Sequence, residues 1–211
     1  MKHFLLVSLL FAAVPATAQT VGTGDPAAGI AWSPISMAGI PRANRLVESV
    51  FIARQTREQL VAGGDWVSYM AARLGAVPIP DQTGIRVAVD SQRILVDGRM
   101  VDLPPETRAL FGPIAMLVDS NTVLRAEVVM APTGPGVVRF VLATISVNGF
   151  QIPESILSSF LARVGQQYPV LTKTGRELLV AVPPDGKVSL ANNAVRVWID
   201  ESLSASGSPP R

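Results

Sequence analysis

The sequence predicts an α+β domain in which a curved antiparallel sheet packs around two to three helices. Three observations predict it. Apolar residues fall at helical spacing in two segments, 41–61 and 153–164. Between and after them the period changes to two, which is strand spacing. The order of elements, helices then meander, helix then meander, is that of an α+β chain.

The element-by-element reading starts from the ends. Lys2 and His3 precede an apolar run from Phe4 to Val14, and Ala16-Thr17-Ala18 has the small-x-small form of a signal-peptidase site. Eleven helical residues span about 16 Å, half of a hydrocarbon core of roughly 30 Å, so residues 1–18 read as a removed signal peptide, not an anchor. Residues 19–40, rich in Gly, Ala, Pro, Ser and Thr, read as a flexible leader. Residues 41–201 then form a single domain, and 202–211 a disordered tail.

Within the domain, Pro41 suits the first turn of a long helix reaching Val61, with Leu46, Val47, Val50 and Phe51 on one face and Gly63-Gly64 as its stop. Asp65 caps a second helix that ends near Leu74. Ile85, Val87 and Val89 start a strand, Asp90-Ser91-Gln92 turns, and Arg93–Leu103 returns; Asp97-Gly98 inside it fits a hairpin turn of its own or a bulge, and the short flanking segments favour the bulge. A helical turn over Pro104–Phe111 and strands at 114–119, 122–131 and 136–147 follow. Pro153 and Glu154 open a helix striped by Ile156, Leu157, Phe160, Leu161 and Val164 and capped by Gly165. Strands at 177–182, 187–190 and 194–199 close the domain. In 137–147 both alternating sets are largely apolar, so that strand is covered on both faces, by core and helix or by core and a ligand groove.

Composition limits the chemistry. The chain has no cysteine, and its one histidine is His3, inside the expected signal peptide. That argues against zinc sites, disulfides and His-assisted nucleophilic catalysis, so no cofactor, no metal and no enzymatic activity are expected. Without Lys2, 17 basic side chains face 16 acidic ones, a balance that lacks a nucleic-acid footprint. Charged residues make up 16% of the chain, against about 25% in typical soluble domains. With a mean hydropathy of +0.36, the apolar content exceeds what an ordinary surface needs. No later stretch is long and apolar enough to span a membrane. The expected location is extracytoplasmic, in the periplasm or outside the cell.

Lys173-Thr174-Gly175 matches a box of penicillin-binding enzymes, but no Ser-x-x-Lys accompanies it, so Thr174-Gly175 reads as the loop before a strand. The acids Asp97, Asp102, Glu106, Glu154 and Asp185 read as solvated surface groups, not a catalytic pair. The most distinctive stretch is Ile145–Leu161: a strand, an Asn148-Gly149 turn, then Ile152-Pro153 leading into the striped helix. It resembles the strand–turn–helix step of bacterial relatives of the tubular lipid-binding (TULIP) superfamily, and Val180–Leu190 looks like the strand–turn–strand that ends such domains. The resemblance covers about 136–199. It implies a curved sheet wrapped on a helix with an apolar groove for acyl chains. The expected function is therefore non-enzymatic binding of an apolar small molecule such as a lipid. Phe140, Leu142, Ile156, Leu157, Phe160 and Leu161 are the expected groove or core residues. The alternative is an envelope assembly protein that presents an apolar patch to a protein partner.

Overall fold

The computed structural model describes residues 29–75, 79, 84–103, 108, 119–131, 133–167, 171–172 and 174–204. The expected signal peptide, most of the strand expected at 114–119, most of the turn expected at 104–111 and the end of the tail lie outside these residues. The architecture is α+β with antiparallel sheets. The larger sheet has strands β1 (Ser33–Pro34), β3 (Arg86–Val89), β4 (Arg93–Arg99), β5 (Val123–Ala131), β6 (Val137–Val147) and β7 (Phe150–Gln151) in that order, with β8 (Glu177–Ala181) also on β6. The smaller sheet is β2 (Glu58–Ala62), β10 (Ala194–Ile199) and β9 (Gly186–Ala191). Helices α1 (Gly39–Phe51), α2 (Gly63–Arg73) and α3 (Glu154–Gln167) pack against them, and a short helix, α4 (Glu201–Ser204), follows β10.

The expected long helix stops early. Α1 ends at Phe51, Arg54 takes a left-handed backbone at φ 54°, and Glu58–Ala62 pairs with Ala194–Trp198. The residues of 58–62 favour helix, but strand pairing fully buries Val61 opposite Val195, and that tertiary gain overrides local preference. Gly63-Gly64 begins α2 instead of ending α1. A Cβ on Gly63 would come within 2.5 Å of Val89, and one on Gly64 would strike the Pro34 carbonyl. Asp65 does not cap this helix. Ser33 Oγ accepts the Gly64 N–H at 2.8 Å, while Asp65 pairs with Arg42.

Part of the expected leader belongs to the sheet. Β1 pairs with β3, and Ile35 is buried. The expected bulge at Asp97-Gly98 is absent, because the pairings Asp97↔Arg125 and Gly98↔Leu124 continue in register. The register shift lies instead between Glu127 and Val128, opposite Ala143. That extra residue keeps Leu142 and Ile145 on one face and accentuates the local twist. Asn148 and Gly149 take positive φ, the two-residue hairpin geometry that Asn-Gly favours.

One face of the large sheet carries the core, in two parts. Val87, Val89, Ile94, Val138 and Phe140 pack with Trp66, Tyr69 and Met70 of α2, Val50 of α1 and the inner side of the small sheet. Leu124 and Ile145 pack with Met100 and with Leu157, Phe160 and Leu161 of α3. Burying three α3 side chains contributes about 5–9 kcal/mol gross. Gly165 is inside α3, not at its end, and its Cβ position lies 2.8 Å from Gly175 N and Thr172 O. On the opposite face of the sheet, Ile30 and Trp32 cover Ala88 and Leu95.

Candidate functional site

Strand alternation sets the shape of the space under α3. Val96, Leu124, Ala126 and Ile145 share the core face with Gly98, which contributes no side chain. Two small residues among large ones leave a hollow in the sheet surface. Phe160 of α3 closes it from above, and Ile85 and Leu103 border it. The resulting open pocket has a volume of about 160 Å³, and every side chain that lines it is hydrocarbon.

The residues singled out by sequence divide among several places. Phe160 lines the pocket. Leu157 and Leu161 are buried beside it, and Leu142 packs half-buried against the same cluster. Ile156 is 44% exposed on the outer side of α3. Phe140 lies in the other part of the core, with its ring 6.0 Å from that of Trp66. Of the six, Phe160 alone lines the pocket, and the sheet residues that line it were not among those singled out. The signal for them was Gly98, because a glycine inside a strand often marks a close approach by something else.

On the opposite face of β4, next to the buried Leu95, lies a charged group. Asp97 is 2% exposed and accepts hydrogen bonds from Arg86 at 3.2 Å and from Arg125 at 3.0 and 3.2 Å. Trp32 lies under both guanidiniums, with centroid distances of 4.8 and 5.5 Å. Beside this group Arg99 donates to Asp102 through Nε and Nη2. Hydrogen bonding from Arg99 holds the Asp102 carboxyl below its ordinary range, against a smaller opposing effect of burial. Arg86, Asp97, Arg99 and Val123 line a cleft of about 340 Å³, and Gly98 borders both this cleft and the apolar pocket.

The acids considered for catalysis are not free surface groups. Asp97 and Asp102 are paired as above, Glu154 is paired with Arg176 and Asp185 with Arg54. Arg176, then Ser158, hold the Glu154 carboxyl below its ordinary range. Glu106 lies outside the described residues. A carboxylate stabilised by a guanidinium is a poor proton donor near neutral pH. Among the described residues no group of three His, Cys, Asp or Glu is placed to hold a metal ion, and no helix is long and apolar enough to cross a membrane. Thr174-Gly175 is loop preceding β8. Comparison with protein-family models, curated proteins and solved structures finds no significant match to this chain.

Proposed function

We propose that this protein binds a small apolar molecule, or the apolar end of a larger one, in the pocket between α3 and the large sheet, and that it makes or breaks no bond in doing so. The observation that carries this reading is the all-hydrocarbon lining. An apolar cavity of roughly 150 Å³ is large enough to take up benzene, whereas drug-sized ligands need about 300–1,000 Å³. At about 160 Å³ the pocket suits one ring or the end of one chain. A whole lipid would leave most of its length outside. The resemblance to tubular lipid-binding domains and the signal-peptide pattern agree with an extracytoplasmic binder of this kind.

Ala126→Leu tests the reading, because it fills the hollow without adding a polar atom. Titration calorimetry should show toluene binding to the native protein and none to the variant, with thermal stability kept. Absence of binding to the native protein, or equal binding to the variant, would reject the pocket as the site.

A second reading, an assembly protein that offers an apolar patch to an envelope partner, is favoured by Phe150, which is 81% exposed beside the Asn148-Gly149 turn. It predicts self-association in gel filtration that Phe150→Ser abolishes. A monomer at all concentrations would count against it.

A further inference from the structure

We infer that β9 carries a second binding site, for an extended peptide with an acidic residue, which adds a strand to the outer edge of the small sheet at Val188 and sets its acid beside Lys187. The site is separate from the apolar pocket under α3 and does not depend on it.

Three observations support it. The first is an open row of backbone groups. Opposed residues of an antiparallel ladder alternate between exchanging hydrogen bonds and exchanging none. The Asp200 N–H donates to the Asp185 carbonyl at 2.7 Å, and the β9–β10 ladder continues that register with Lys187↔Trp198 and Val188↔Val197. Lys187 and Ser189 therefore bond to β10, while the N–H and C=O of Val188 and Leu190 point away from it. β9 is an outer strand of its sheet, and no described residue takes those groups. The second is a pocket at that edge, with a volume of about 170 Å³. Gly186, Lys187 and Val188 form one wall, and Met130, Val138 and the turn between β5 and β6 form the other. The third is charge. Lys187 is the only charged side chain among the residues lining this pocket, and it has no ion-pair or hydrogen-bond partner among the described residues. Asp185, two positions away, is tied to Arg54. In antiparallel addition Val188 exchanges both of its free bonds with one peptide residue. The side chain of that residue falls on the face of Val188, toward Met130 and Val138, and the side chain of the next falls beside Lys187 at a cross-strand distance of about 5 Å. An acid there meets an uncompensated cation. The other outer strand, β2, has its acid Glu58 already tied to Arg196.

The test titrates the isotope-labelled full chain with the capped peptide acetyl-Thr-Val-Glu-Thr-amide and with its counterpart carrying Lys in place of Glu, followed by NMR. Both are repeated on the Lys187→Glu variant, which keeps the β9–β10 ladder because those bonds are main-chain. The Val188 amide should shift and gain protection from hydrogen exchange. The Glu peptide should bind about fivefold more tightly than the Lys peptide, and Lys187→Glu should reverse that order. No binding of either peptide, shifts centred on Leu60 at the β2 edge, or a preference for Glu that survives Lys187→Glu each overturns the inference. Protection of the Val188 amide that is present without peptide and lost on dilution assigns the edge to a second copy of the chain and also overturns it. Toluene binding under α3 is measured separately, so neither result decides the other.

Discussion

At the scale of the residue, Asp97 shows how placement changes the meaning of a side chain. A carboxylate at 2% exposure is costly to bury alone, and here the cost is offset by Arg86 and Arg125 from the two flanking strands. Asp97→Asn should lower stability by about 3 kcal/mol, the low end for a broken buried pair because Arg86 is half in solvent. Urea denaturation measures it, and a loss within 0.5 kcal/mol would show that water already screens the site. In sequence Asp97 reads as a surface acid, because its partners lie 11 and 28 positions away. Only strand register brings them opposite it. Phe160 and Ile156 make the reverse point. Both belong to one apolar stripe on paper, yet a helix turns 100° per residue, and the sheet meets only the side bearing Leu157, Phe160 and Leu161.

At the scale of the element, α3 depends on two glycines that periodicity treats as punctuation. Gly165 lies inside the helix and faces Gly175 in the loop before β8. A Cβ on Gly175 would fall on the Leu161 carbonyl, and the residue has φ +67°. Gly175→Ala should therefore cost more than about 1 kcal/mol and loosen α3. Gly134→Ala, with nothing within 4 Å, should change stability by less than about 0.5 kcal/mol. Thermal melts of the two variants check the contrast, and equal melting temperatures would refute the close packing of loop on helix. The same logic explains Gly63-Gly64. Adjacent glycines after an apolar stretch suggest a helix end. Their actual service is to let α2 approach β1 and β3, which no local pattern specifies.

At the scale of the whole molecule, the ion pairs set the response to pH. Asp102 and Glu154 titrate below their ordinary ranges in the fold, because arginines donate hydrogen bonds to their charged forms. The folded state then binds fewer protons than the unfolded chain in acid. Stability from these groups is complete above the unfolded carboxyl range and is lost as pH falls through the lower folded values. With the only histidine at position 3, little else titrates near neutrality. The urea midpoint should stay nearly constant from about pH 6 to about pH 9 and drop below about pH 4. A steep change between about pH 6 and about pH 8 would contradict this account.

The sequence by itself determined the α+β class, most strand positions, the Asn148-Gly149 turn and the apolar face of α3, since each follows from residues within a few positions of one another. Tertiary structure alone decided that 58–62 is a strand, that β9 and β10 leave the large sheet, that Asp97 sits between two arginines, and that Gly98 and Ala126 leave a hollow under Phe160. These depend on which distant segments lie opposite each other. Local spacing carries the period of an element but not the identity of its neighbour, and a pocket is made by neighbours.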